Sequence, residues 1–371
     1  MSAVASRAAG ARVEGVEVSA FTIPTEEPES DGTLEWDSTT IVIAEVAGGG
    51  ERGLGYTYGD LAVRTLIESK LAPVVEGADA LSAAATWSAM QRSIRNAGQQ
   101  GVGAMAVSAV DVALWDLRAR LLGVALADAL PRFHHAVPIY GSGGFTSYSD
   151  HRLRDQLVGW AREGIPRVKI KVGRDPGRDM ERLRAARDAI GADTELFVDA
   201  NGAYSRKEAL AWAERFAELG VTYFEEPVSS DDLEGLRLIR DRAPAGVSIA
   251  AGEYGWDPAY FQRLLDAGAV DILQADVTRC GGITGFLRVD GLCRARNLPF
   301  SAHCAPAISA HACCAVETLV HLEHFHDHVR IESMLFDGVP APRGGFVEPD
   351  RSRPGLGLEL RAETAAEFEV G

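Results

Sequence analysis

A chain of 371 residues with 46% apolar side chains can bury a large core without covalent staples. Its 53 acidic residues against 37 lysines and arginines give a net charge of −16, which repels phosphate backbones and argues against nucleic-acid binding. The five cysteines all fall after residue 279 and form no C-x-x-C pair, as expected for reduced thiols. The opening MSAVASRAAG lacks an apolar signal core, and the most apolar helical stretch, GAMAVSAVDVALWDL, carries Asp111 and Asp116. A cytoplasmic protein without a membrane partner is expected.

Residues 11–58 read as β structure: ARVEGVEVSAFTIP, STTIVIAEVAG and GLGYTY run between Gly-rich turns. The intervening TEEPESDGTLEWD, with Glu26, Glu27, Glu29 and Asp31, reads as an exposed, solvated loop. Helical periodicity follows over 59–73, 80–97 and 103–122, so residues 1–136 form an α+β capping unit. From 137 strand and helix alternate. VPIYGS is the first strand. Ser205 and Glu208 make a capping box before a helix that Gly220 ends. Eight strands are counted, the last being HVRIE, which predicts an α/β fold with a (β/α)8 barrel over 137–345. The Pro/Gly-rich segment 346–371 is expected to return to the capping unit.

Polar residues end successive strands at intervals of 23 to 29: Lys171, Asp199, Glu225, Glu253, Asp276, His303 and, continuing the series, Glu332. In a parallel barrel the C-terminal strand ends share one mouth. Only four lysines occur in the chain, yet two stand as Lys169-Ile170-Lys171, on one face of a strand. Burial and a like-charged neighbour both lower a lysine pKa, so such a pair suits a base. Asp199, Glu225 and Glu253 would repel one another without a cation, and hard oxygen donors suit Mg²⁺. Glu225 and Glu226 are adjacent, and spacing alone does not choose which faces inward. Asp276 beside His303 would fix the imidazole tautomer. The cluster His321, His324, His326 and His328 reads as a helix end and loop on the far side of the barrel.

Taken together, KIKVG at 169–173, VDAN at 198–201, FEEP at 224–227, AGE at 251–253, DVTRCGG at 276–282 and SAH at 301–303 resemble the enolase superfamily, mandelate racemase subgroup. The resemblance spans the whole chain. It implies one Mg²⁺ per site on Asp199, Glu225 and Glu253, with Lys171 as a base tuned by Lys169. It also implies an Asp276–His303 dyad, with Asn201, Lys169 and Glu332 contacting a small carboxylate substrate. A homo-oligomer is expected. Relatives resembling dipeptide epimerases carry a lysine where this chain has Asp276. The implied chemistry is removal of the proton α to a carboxylate, then β-elimination of water from an aldonate or aldarate. Racemisation or epimerisation, lactone cycloisomerisation and a non-catalytic binding protein are the alternatives.

Overall fold

The computed structural model describes residues 10–371. Strands β1 (Val13–Ser30), β2 (Glu35–Gly48) and β3 (Glu51–Tyr58) form an antiparallel sheet. Three helical stretches pack on it: α1 (62–75, with a π-helical turn over Ile67–Leu71), α2 (Ala83–Ser93) and α3 (Val102–Leu122). The segment expected to be a solvated loop is mostly strand. Only residues 31–34 separate β1 from β2, a register shift between Pro24 and Glu29 absorbs the irregularity, and Glu29 and Asp31 are buried. Trp36 Nε1 donates to Glu29 at 3.0 Å, and the backbone N–H groups of Thr33 and Leu34 donate to Asp31. These acids are used to build the turn.

The barrel strands are β4 (Val137–Gly143), β5 (Arg167–Lys171), β6 (Glu195–Asp199), β7 (Val221–Glu225), β8 (Ser248–Ala251), β9 (Ile272–Ala275), β10 (Phe300–Ala302) and β11 (Leu319–Phe325). All eight run parallel in sequence order, and β11 pairs with β4 to close the ring. Helices α4 (Asp150–Arg162), α5 (Pro176–Ile190), α6 (Arg206–Glu218), α7 (Leu233–Arg242), α8 (Pro258–Asp266), α9 (Gly282–Arg296), α10 (Pro306–Cys313) and α11 (His326–Leu335) follow the strands in turn. The Ser205–Glu208 capping box opens α6, and Gly220 lies just past its end at φ 70°. At the C-terminus, Val370 N donates to Ala20 O and Phe368 O accepts from Thr22 N, so the last residues lie against β1.

The eighth strand differs from the expected one. HVRIE lies in α11, where Asp327, Ile331 and Leu335 are buried at intervals of four, the period of a helix face. The strand is LVHLEHF, inside the histidine cluster that was expected on the far side. His321 instead joins Tyr140, Phe197 and Tyr223 in an aromatic layer inside the barrel, with Phe197 and Tyr223 centroids 4.7 Å apart.

Sheet and helix touch backbone to backbone where β3 crosses α3. A Cβ on Gly55 would stand 2.2 Å from Ala109 O, and one on Gly53 would stand 2.1 Å from Ala113 O. Two glycines in one strand usually weaken it, but here each removes a clash with helix backbone that cannot move aside. Gly55→Ala should destabilise the protein by about 1–3 kcal/mol, read as a fall in denaturation midpoint. An unchanged midpoint would show that the two elements can separate without cost.

Candidate active site

Register and pleat assemble the mouth. Side chains two apart on a strand share a face, so the aromatic layer places polar residues above itself: Phe197 below Asp199, Tyr223 below Glu225 and His321 below Glu323. Lys169 and Lys171 share the inward face of β5, and Lys171, Asp199 and Glu225 stand in register on three adjacent strands. Glu253, Asp276 and His303 lie within two residues of the ends of β8, β9 and β10.

Lys169 is fully buried and pairs with Glu225 at 2.6 Å, Glu323 at 2.8 Å and Asp199 at 3.4 Å. It also lies 5.3 Å from the centroid of the Tyr140 ring. Lys171 Nζ donates to Asp199 at 2.5 Å. Burial acts to lower both lysine pKa values, but Glu225 and Glu323 around Lys169, and Asp199 beside Lys171, outweigh it and raise both. The lowering expected from the like-charged pair is therefore overcome by the carboxylates.

On the opposite flank, His303 Nδ1 bonds Asp276 Oδ2 at 2.7 Å, and Nε2 lies 2.6 Å from Glu253 Oε2. Thr278 donates to the other Asp276 oxygen through both its N–H and its hydroxyl, each at 2.7 Å. Burial disfavours the imidazolium, yet Cys304, Glu253 and Glu323 hold the His303 pKa well above its ordinary value. Asn201 has φ 46°, and its N–H donates to Asp199 Oδ1. Its own Oδ1 has no hydrogen-bond partner among the described residues.

The carboxylates fit a hard divalent ion in number and kind. Asp199, Glu225, Glu226, Glu253, Asp276 and Glu323 are all buried here, facing Lys169, Lys171 and Arg279. Burial and then Asp199 push Glu225 up to about 8, and Glu225 Oε1 and Glu226 Oε1 have no hydrogen-bond partner among the described residues. Glu226, with φ 39°, is buried beside Glu253 and Asp199. Asp199, Glu225 and Glu253 are each drawn to a different cationic partner: Lys171, Lys169 and His303.

A cavity of about 730 Å³ opens above this cup. Lys171, Asn201, Glu253, His303 and Glu323 form its floor, while Leu34, Trp36, Thr40 and Tyr58 of the N-terminal sheet form the facing wall. Glu332 is not in the mouth. It lies on α11, where its carboxyl accepts from the Tyr56 hydroxyl at 2.5 Å and from Ala307 N at 3.1 Å. The acid at the eighth strand is Glu323, which spacing missed because α10 has only eight residues and brings β11 forward. The legible signal was the alternation in LVHLEHF, which puts His321 and Glu323 on one face. His328 also reaches the cavity wall, stacked on Tyr58 with centroids 3.4 Å apart.

The family profile described as "Enolase C-terminal domain-like" matches residues 152–365, and "Mandelate racemase / muconate lactonizing enzyme, N-terminal domain" matches 20–130. The chain belongs to the mandelate racemase/muconate lactonizing enzyme family of the enolase superfamily. It is 30% identical to a 3,6-anhydro-alpha-L-galactonate cycloisomerase of Streptomyces coelicolor, over 97% of this chain and 100% of that one. It is 29% identical to an arabinonate dehydratase of Saccharolobus solfataricus, over 91% of each. A mandelate racemase/muconate lactonizing enzyme-like protein from Rubrobacter xylanophilus superposes with TM-score 0.95 at 67% identity, over 97% of this chain and all of that one. A racemase from Streptomyces coelicolor A3(2) with bound magnesium superposes with TM-score 0.90 at 29% identity, over 96% of this chain and all of that one. Members of this family thus differ in reaction while sharing the barrel and its cap. Among the described residues no helix is long and apolar enough to cross a membrane.

The place of Glu332 carries a measurable consequence. Burial pushes its pKa up to about 8, against the charge-favouring bonds from Tyr56 and Ala307. An acid with a raised folded pKa takes up a proton on folding, so its contribution to stability falls as pH rises from about 4.5 to about 8. Glu332→Gln can still accept from Ala307 N and donate to the Tyr56 oxygen. Chemical denaturation of both proteins should show the wild type losing ground to Glu332→Gln across that window. A pH-independent difference would refute the assignment.

Proposed function

We propose that this protein is a Mg²⁺-dependent acid-sugar dehydratase. It removes the proton α to the carboxylate of an aldonate or aldarate and expels water from the β-carbon, giving a 2-keto-3-deoxy acid. The observation that carries this reading is the placement of two proton carriers on opposite flanks of one carboxylate cup. Lys171 stands on the Asp199 side and His303 on the Glu253 side.

Asp199, Glu225 and Glu253 would hold the ion, whose supplied chemistry is Lewis-acid stabilisation of the negative charge that grows as the α-proton leaves. With Asp199 drawn to the ion and away from Lys171 Nζ, the neutral Lys171 amine would accept that proton. Lys169 keeps a fixed positive charge beneath the substrate carboxylate. Asp276 holds His303 Nδ1, which leaves Nε2 to deliver a proton to the departing hydroxyl. Glu323, on the strand expected to carry Glu332, would hold the Lys169 ammonium beside the substrate carboxylate, and Asn201 would offer its free amide oxygen to a hydroxyl. The bound magnesium of the S. coelicolor racemase and the dehydratase activity of the S. solfataricus relative support this reading.

The same two carriers also favour a second outcome. If no β-hydroxyl leaves, His303 can return a proton to the face opposite Lys171, and the product is an epimer. Incubation with Mg²⁺ and a panel of aldonates and aldarates in D₂O, followed by NMR, separates the two. Keto acid bearing solvent deuterium means dehydration, and deuterium without keto acid means racemisation or epimerisation. No exchange with any acid would count against catalysis altogether.

With a responsive acid in hand, Lys171→Met should lower exchange on one face by roughly 10²–10⁴-fold and spare the other. Equal loss on both faces would contradict two opposed carriers. Glu323→Gln should cut kcat by about 10²–10³-fold, whereas Glu332→Gln should leave kcat near wild type. The reverse pattern would restore Glu332 to the site.

A further inference from the structure

The turn after β10 does more than carry His303. Cys304 and Ala305 both adopt left-handed backbone, at φ 50° and 43°, although neither is glycine. Such backbone is costly and persists where surrounding structure holds it. Here it turns the Cys304 side chain back into the mouth. Its Sγ lies 3.3 Å from His303 Nε2 and 3.5 Å from Glu323 Oε2, and those two atoms are 3.4 Å apart. All three residues are buried and line the cavity.

These separations have a meaning. With Zn–S near 2.3 Å and Zn–N or Zn–O near 2.0–2.2 Å, the edges of a tetrahedral centre run to about 3.3–3.6 Å. Three donors already at that spacing outline one face of a tetrahedron. Among the described residues, this is the only group of three His, Cys, Asp or Glu side chains whose donor atoms all lie within 4.8 Å of one another. The outer contacts suit it as well. Asp276 Oδ2 holds His303 Nδ1 at 2.7 Å, the carboxylate–histidine arrangement that orients a metal-binding imidazole. Lys169 pairs with the other Glu323 oxygen, Oε1, at 2.8 Å, which leaves Oε2 toward the histidine and cysteine.

We propose that His303, Cys304 and Glu323 form a second metal site, selective for a thiolate-preferring ion such as Zn²⁺ and adjoining the all-carboxylate set of Asp199, Glu225 and Glu253, whose Glu253 would give up its contact with His303 Nε2. Ligand type divides the two: sulfur and imidazole favour zinc, and carboxylates alone favour magnesium. Occupancy removes the Cys304 thiol proton and engages His303 Nε2. On the dehydratase reading above, zinc therefore inhibits the enzyme by withdrawing its second proton carrier.

The site can be tested without turnover, so its failure is separable from failure of the proposed reaction. The full-length protein, kept in excess Mg²⁺, is titrated with Co²⁺ as a spectroscopic stand-in for zinc. The expected result is a near-ultraviolet thiolate-to-cobalt band with tetrahedral visible absorption, saturating at one Co²⁺ per chain and bleached by Zn²⁺. Cys304→Ser should remove the band and weaken Zn²⁺ binding by calorimetry about 100-fold, with Cys304→Ala as the second variant should the serine protein misfold. Asp199→Asn should leave the band in place. No thiolate band at saturating Co²⁺, or a band that survives loss of Cys304, overturns the proposal.

Discussion

One buried ammonium group holds the site together. Lys169 has no exposed surface, and its Nζ lies within 3.4 Å of carboxylates from three other strands, Asp199, Glu225 and Glu323. Taking charges out of water costs several kcal/mol for each ion, and only close, well-paired geometry recovers it. Removing Lys169 would leave acids on β6, β7 and β11 facing one another with one fewer compensating charge. The ring of strands must therefore close in a register that brings all three acids to one point. The aromatic layer of Tyr140, Phe197, Tyr223 and His321 fixes that register from below, because the pleat places each acid two residues above a ring.

The cap is fastened to this mouth by buried polar groups that would be errors in an isolated apolar helix. Asp111 of α3 accepts from the N–H and hydroxyl of Thr284 at the start of α9, and Ser108 accepts from Gly281 N and Gly282 N. Asp116 accepts from Leu54 N on β3 and from Leu356 N in the C-terminal segment. Thr57 of β3 donates to Thr278 O, and Thr278 in turn holds Asp276. A continuous set of bonds thus runs from the capping sheet to the imidazole of His303. The two halves of the molecule share their orientation because neither can satisfy its buried donors and acceptors alone.

Most of the barrel was readable because its sequence signal is geometric. Strand alternation, a capping box and recurring polar strand ends each reflect a constraint that acts within a few residues. The mouth residues from Lys169 to His303 stand at one end of the barrel for that reason. Spacing points to Glu332 because it is a weak proxy for connection length: α10 is short, so the acid of the eighth strand, Glu323, comes 20 residues after His303 and the 29-residue interval lands on a helix. The acidic loop was misread for a different reason. Composition records charge but not burial, and the hydrogen bonds that bury Glu29 and Asp31 come from Trp36, Thr33 and Leu34, whose positions depend on the hairpin having formed.

The division of labour between the halves follows from how their polar groups are used. On the barrel floor, Asn201 Oδ1, Glu225 Oε1 and Arg279 Nη1 lack partners among the described residues. On the cap wall the polar atoms are largely committed: Thr39 donates to Asp327, Thr40 pairs with Thr22, Asp60 caps Ala62 and Trp36 bonds Glu29. Such a wall discriminates chiefly by shape and apolar contact, through Leu34 and Trp36, while the buried Tyr58 hydroxyl, without a partner among the described residues, is left to meet a polar group. Among the described residues it supplies no lysine or arginine to the cavity, whose lining lysine and arginine, Lys171 and Arg279, both come from the barrel. On the proposed function, a substrate would be gripped by its carboxylate end at the floor and selected by the contour of its far end. This arrangement lets the wall change with little disturbance to the charge balance below it.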